Sequence, residues 1–111
     1  MKKYNIIYAD PPWRYERGGV QGAAEKHYPT MAVDELCKLP VSEIAADDSI
    51  LFLWATFPQL REALQVIRAW GFSYKSVAFV WLKQNKSGKG WFYGLGYWTR
   101  GNSEICLLAT K

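Results

Sequence analysis

The segment Ser49-Ile50-Leu51-Phe52-Leu53-Trp54-Ala55 is apolar throughout, apart from its opening hydroxyl. A continuous run of this kind reads as a strand covered on both faces, as in the interior of a parallel sheet. The next fifteen residues narrow the architecture further. Thr56 and Gln59 have the spacing of a capping box. From there to about Trp70, Leu60, Ala63, Leu64 and Ile67 share one helical face, while Arg61, Glu62 and Arg68 point away. Gly71 stands where a helix needs its C′ residue, and a second strand is expected from about Lys75 to Leu82. Strand, helix and strand in succession predict a βαβ unit and a parallel sheet with a helix on its face.

The remaining elements fit the same class. Tyr4-Asn5-Ile6-Ile7-Tyr8-Ala9 is a β-prone stretch expected to form a buried strand. A short helix is expected over 32–38, with Leu36 and Val33 facing inward and Leu39-Pro40 ending it. Glu104 to Thr110 reads as a final strand. Two long connections interrupt the pattern. Residues 14–31 contain Gly18-Gly19 and Gly22, and residues 83–102 are rich in glycine, basic and aromatic residues. Connections of this length tend to be lids or binding loops. The expected fold is α/β, with a mostly parallel sheet of about four strands and flanking helices. That is few strands for a doubly wound sheet, and a strand at the terminus would be an unprotected edge. The pattern therefore reads as one domain over 1–111, either incomplete at its C-terminal side or completed by a second copy or second subunit.

Composition removes several function classes. At 111 residues the chain forms at most one small domain. No apolar run approaches the roughly 20 residues of a membrane span, and Met1-Lys2-Lys3-Tyr4 carries no signal-peptide core. Cys37 and Cys106 lie in apolar surroundings and read as buried thiols, not as a disulfide, metal pair or nucleophile. His27 is the one histidine, so no histidine-rich metal site and no resident metal is expected. These features fit a soluble cytoplasmic protein. The net charge of +4 is unevenly spread. From Gly71 onward Lys75, Lys83, Lys86, Lys89, Arg100 and Lys111 face Glu104 alone, with Trp81, Trp91, Phe92, Tyr93, Tyr97 and Trp98 interleaved. Cations that track phosphates beside aromatic rings that stack on bases suit nucleic acid. Solvated lysines around a hydrophobic core would show the same pattern.

The most specific chemistry lies in Asp10-Pro11-Pro12-Trp13, where the first strand opens into a loop at the usual ligand-binding edge of an α/β sheet. Pro11 and Pro12 have no backbone N–H, so the main chain there offers only carbonyl oxygens. With the Asp10 carboxylate they form a rigid cluster of acceptors beside an indole. Such a cluster suits a flat ring with an exocyclic amine, as in adenine or cytosine: Asp10 and the Pro11 carbonyl each accept one N–H, and Trp13 stacks on or walls the ring. The plainer alternative is an ordinary strand-ending turn followed by a packing tryptophan.

In order along the chain come Ala9-Asp10-Pro11-Pro12-Trp13, Tyr28-Pro29-Thr30-Met31, Leu51-Phe52-Leu53-Trp54, Trp81-Leu82-Lys83-Gln84-Asn85, Gly96-Tyr97-Trp98 and Glu104-Ile105-Cys106-Leu107. This series resembles the MT-A70 family, S-adenosylmethionine-dependent N6-adenine methyltransferases with a Rossmann-like fold. The resemblance implies that Asp10 and Pro11 hold the amino group of a base inserted between Pro12 and Trp13 or an equivalent wall. Asp10 would also touch the methionine end of S-adenosylmethionine. It implies direct in-line methyl transfer without a covalent enzyme intermediate, onto a base that has left its stack. Tyr28 would lie near the substrate base, Lys83 would face the substrate from a strand end, and Glu104 would pair near that lysine. Lys86, Lys89 and Arg100 would contact phosphates, while Trp98 packs its loop. DNA is the expected substrate in preference to RNA.

The chain also departs from the family. A His-Lys-Pro-Asp-like segment and a later strand with a ribose-holding Asn are both missing. Gly88-Lys89-Gly90 and Gly94-Leu95-Gly96 do not follow a strand and open a helix, so they are not a substitute phosphate loop. Two functions are compatible with this pattern. One is an N6-adenine methyltransferase, of which this chain carries the catalytic and substrate-loop half without being active alone. The other is a non-catalytic nucleic-acid-binding or partner subunit, or a remnant of such an enzyme. Cofactor binding separates them. Methylation of cytosine N4 is a third, lesser option.

Overall fold

The apolar run forms the middle of β2 (Ala45–Thr56) in a computed structural model that describes residues 2–14, 29–91 and 102–111. The expectations placed on Tyr28, Trp98, Arg100 and the glycines of residues 18–22 lie outside those residues. The other elements are β1 (Tyr4–Ala9), α1 (Val33–Cys37), α2 (Val41–Ile44), α3 (Leu60–Ala69), β3 (Ser73–Trp81) and β4 (Glu104–Thr110). Strand β2 begins earlier than the apolar run. Its lead-in bulges against β1, where the register passes from Tyr4↔Ala45 to Ile6↔Ile50. The Ser49 hydroxyl closes that excursion by donating to the Ala46 carbonyl at 2.9 Å, and the Asn5 amide donates to the Asp48 carbonyl at 2.9 Å.

Continuous apolarity does not make β2 buried on both faces. Leu51, Leu53 and Ala55 are fully covered, whereas Phe52 and Trp54 between them are only half-buried. The alternation of a half-covered strand is present, but both faces are apolar, so hydropathy does not reveal it.

Helix α3 covers the inner face. A turn of 3₁₀ helix, Phe57–Gln59, precedes it, and neither element has a side-chain cap bond, so the expected Thr56–Gln59 capping box is not formed. Pro58 sits in the first turn of the 3₁₀ element, and the α-helix starts at Leu60. Gln59 is instead buried, and its amide donates to the Arg14 carbonyl at 3.2 Å. The core stripe is Ala63, Val66, Ile67 and Trp70, with Leu60 partly buried against it. Leu64 is 38% exposed, against expectation. It sits one residue step, about 100°, around the helix from Ala63. The helix ends as its sequence requires. Gly71, at φ 88°, donates to the Arg68 carbonyl, and Phe72 donates to the Ile67 carbonyl, which together make a Schellman motif. The buried Trp70 indole donates to the Leu36 carbonyl at 2.8 Å and ties α3 to α1.

The sheet order is β1-β2-β4-β3. Strand β1 pairs with β2 in parallel, but β4 is antiparallel to both of its neighbours. This corrects the expected mostly parallel sheet: the fold is α/β with a mixed sheet. Because α3 crosses over between them, β2 and β3 run in the same direction, as a βαβ unit requires, but they are not neighbours. Strand β4 fills the space between them. Parallel pairing needs a crossover element, and none of the described residues between β3 and β4 forms a helix. The chain turns back and pairs locally. The terminal strand is therefore interior, and β1 and β3 are the edges.

Both described helices long enough to contribute buried side chains, α1 and α3, lie on one side of the sheet. The opposite side carries Ile6, Tyr8 and Phe79, which are 66%, 68% and 57% exposed, and the rings of Phe52 and Phe79 stack there at 6.2 Å. No described helix is long and apolar enough to cross a membrane.

Candidate active site

Because β1, β2 and β3 point the same way, their carboxyl ends meet at one edge of the sheet. Glu104, at the start of β4, enters there from the opposite direction. A cleft of about 470 Å³ opens at this edge, lined by Tyr8, Asp10, Trp54, Val80, Trp81 and Glu104. This is the edge at which open α/β sheets bind ligands.

Asp10 is the first residue past β1. Partial burial, followed by the negative charge of Glu104, raises its carboxyl above the ordinary aspartate range. Pro11 is buried, and the turn is more committed than its composition suggests. The Pro11 carbonyl accepts the Trp13 N–H at 2.9 Å, and the Pro12 carbonyl accepts the Met31 N–H at 2.9 Å. Each oxygen therefore has one lone pair left for a ligand.

Trp13 does not wall the cleft, which corrects its expected stacking role. It is 6% exposed, within the core cluster, and its indole donates to the Trp54 carbonyl at 3.0 Å. Its bond fastens the turn to β2. Arg14 continues the fastening: Nε donates to Thr30 Oγ1 and Nη2 to the Thr30 carbonyl, each at 3.0 Å. The aromatic walls are instead Tyr8, Trp54 and Trp81. Trp81 is among the base-stacking candidates of the basic half, whereas Tyr8 and Trp54 had no expected role at the site. Tyr8 was detectable, since residues two apart on a strand share a side and Tyr8 precedes Asp10 by two.

On the far wall Lys83 Nζ lies 2.8 Å from Glu104 Oε2 and 5.3 Å from the centre of the Trp81 ring. The structure thus brings Lys83 and Glu104 together as the resemblance implies. Asn102 fixes the strand end behind them: its amide donates to the Lys83 carbonyl at 2.9 Å and accepts the Lys83 N–H at 3.0 Å. Lys86 and Lys89 are exposed on a turn beyond β3 and do not line the cleft. That turn is held by the Asn85 amide on the Lys89 carbonyl and by the bridge between Gln84 and Trp91.

Both cysteines are free thiols. Cys106 is buried, whereas Cys37 is only half-buried. Burial first, and Asp10 second, pushes the Cys106 thiol up, which disfavours the thiolate needed for nucleophilic attack. Among the described residues no cluster of His, Cys, Asp and Glu could hold a metal ion.

The MT-A70 family model matches residues 4–111. Over 128 aligned residues the chain is 36% identical to the type II methyltransferase M.MunI of Mycoplasma sp, covering 99% of this chain and 52% of that protein. It is also 33% identical over 89 residues to the N6-adenosine-methyltransferase non-catalytic subunit MTB of Arabidopsis thaliana, covering 77% of this chain and 11% of MTB. The chain spans about half the length of the first relative and far less of the second.

Proposed function

The chain belongs to the MT-A70 family, and on that premise we propose that it forms the catalytic and substrate-loop half of an S-adenosylmethionine-dependent methyltransferase acting on the N6 amino group of adenine in nucleic acid. The proposed substrate is DNA, and the proposed setting is the cytoplasm. The observation that carries this reading is Asp10: a carboxylate at an aromatic cleft, with a raised pKa, followed by two prolines without N–H groups. A group that only accepts hydrogen bonds selects a partner that only donates them, and an exocyclic amine is such a partner.

The cleft also fits the charged end of the cofactor. Two carboxylates, Asp10 and Glu104, and the indoles of Trp54 and Trp81 line one space, and carboxylates and aromatic faces both attract cations. Asp10 would hold the methionine end. When bound, S-adenosylmethionine supplies an electrophilic methyl group on a positively charged sulfur.

The chain's own residues then do three things. Asp10 and the second lone pair of the Pro11 carbonyl accept the two amine N–H bonds, which aims the nitrogen lone pair out of the ring plane. The Asp10 carboxylate, with its raised pKa, takes the proton that the nitrogen gives up. Lys83 holds Glu104 in place while Lys86 and Lys89 extend a positive surface beyond the cleft, where phosphates of an unstacked strand would lie. Tyr28 and Arg100 complete the proposed substrate contacts. The Rossmann-like core would be a domain incomplete within residues 1–111, with its remaining elements supplied by further chain, a second copy or a second subunit.

The open sheet face and the similarity to MTB favour one alternative, a non-catalytic subunit whose apolar face docks on a catalytic partner. Titration calorimetry with S-adenosylmethionine, with Asp10→Ala as control, tests the enzyme reading. Saturable binding that weakens at least tenfold in the variant supports the enzyme, and methylation of adenine in single-stranded DNA is then expected. A folded chain without binding sinks the reading of a complete cofactor site within residues 1–111 and leaves a half that needs its missing elements or a catalytic partner.

A further inference from the structure

Two hydrogen bonds meet at Trp54, one on its main-chain carbonyl and one from its indole, and the second reaches into the cleft. The Trp13 indole donates to the Trp54 carbonyl at 3.0 Å, and the Trp54 indole donates to Tyr8 Oη at 2.7 Å. An indole N–H can only donate, so the tyrosine oxygen is the acceptor in that bond. The tyrosine's own hydrogen must then point elsewhere, and among the described residues no acceptor takes it. Tyr8 is 68% exposed and lines the cleft on the same side of β1 as Asp10. The cleft therefore presents an O–H donor and a carboxylate acceptor side by side.

We propose that Tyr8 reads the ring edge of the substrate: its hydroxyl, held as a donor by Trp54, donates to the ring nitrogen adjacent to the exocyclic amine that Asp10 accepts. This rests on the base-binding function proposed for the cleft and adds a specificity residue to it. The pair demands a donor next to an acceptor on one edge. Adenine meets it with its N6 amine and N1, and cytosine with its N4 amine and N3. On its O6–N1 edge guanine places a carbonyl oxygen before an N–H, the reverse order, which leaves Tyr8 facing a donor and Asp10 facing an acceptor, and its N2–N3 pair lies on the edge shadowed by the sugar. Thymine likewise offers a carbonyl where the amine is wanted. Mismatches of this kind set donor against donor and acceptor against acceptor beneath the bound base, which leaves both cleft groups unpaired and is selected against. Trp13 and Trp54 are positioning residues here. The Trp54 indole occupies one side of the hydroxyl oxygen and so directs its hydrogen at the ring, and the Trp13 bond anchors the β2 main chain that carries Trp54.

The test is a chemical double-mutant cycle on the 111-residue chain. Fluorescence anisotropy measures binding of a labelled single-stranded oligonucleotide with one adenine, or with 1-deazaadenine in its place, to the wild type, Tyr8→Phe and Trp54→Phe. The wild type should lose about tenfold affinity on removal of N1. Tyr8→Phe should bind both oligonucleotides alike, at the weaker level. Trp54→Phe should retain an intermediate discrimination, because the donor remains but is no longer held. Thermal melting confirms that each variant is folded. Adenine-dependent binding with equal discrimination in wild type and Tyr8→Phe overturns the role of Tyr8 alone, as does sensitivity to 7-deazaadenine in place of 1-deazaadenine. Binding that is indifferent to the presence of any adenine overturns the base-binding function and this inference with it.

Discussion

The two faces of the sheet are built from the same strands and both carry large apolar residues, yet they have opposite fates. On one, Leu51, Leu53 and Leu107 are fully covered by α1 and α3. On the other, Ile6, Tyr8 and Phe79 stand open, and the cleft lies at the end of that face. The covered face carries stability. The open face holds the candidate site, and its aromatic residues are available to a ligand or partner because no described helix lies on them. An apolar surface of this extent on a domain is ordinarily a binding surface.

Truncation of one side chain on each face gives the largest contrast. Leu53→Ala should cost about 2–5 kcal/mol, the range for a fully buried leucine. Phe79→Ala, which removes a mostly exposed ring stacked on Phe52, should cost about 1 kcal/mol. Denaturant unfolding of the two variants checks this. Equal losses would break the comparison and mean that the open face is covered in solution.

Asp10, at the end of the open face, responds to pH. Its folded pKa is raised above its unfolded value, so between the two values the folded state binds the proton more tightly and stability falls as pH increases. At neutral pH the ionised Asp10 is a net cost to folding. Asp10→Asn should therefore be no less stable than the wild type at neutral pH and should have a flatter stability profile across the acidic range, while binding of the cofactor and of an amine-bearing base is lost. Melting temperatures followed from acidic to neutral pH test it. A destabilised variant at neutral pH would assign Asp10 a structural role instead.

The smallest effect belongs to Lys83. Its ion pair with Glu104 is a quarter to a third open to water, and such pairs contribute about 0–1 kcal/mol. Lys83→Met should barely shift the unfolding midpoint but should weaken oligonucleotide binding and reduce its salt dependence. A large loss of stability would move Lys83 from the ligand side of the comparison to the structural side.

Several elements were legible because their causes are local. Strands β1 and β4 begin and end where β-prone residues do, and Gly71 ends α3 because only glycine takes a positive φ there without strain. The acceptor-only turn was equally legible, since the absence of N–H groups at Pro11 and Pro12 is a property of the residues themselves. Trp13 was not. An indole that packs inward and one that faces a ligand have the same sequence, and only the carbonyl of Trp54 at hydrogen-bonding distance separates them. Tyr8 and Trp54 were missed for a related reason, because in an apolar strand every second residue looks like core.

Residue type and order along one chain were enough to place the four strands, α1 and α3, the acidic residue at the mouth of the first strand, and membership of the MT-A70 family, but not α2 or the early start of β2. The tertiary structure decided that β4 enters between β2 and β3, that one face of the sheet is covered and the other open, and that Asp10, Tyr8, Trp54, Trp81 and Glu104 share one cleft. The physical reason is separation along the chain. Glu104 and Asp10 meet only when β4 closes the sheet, and no local preference of either residue encodes that meeting.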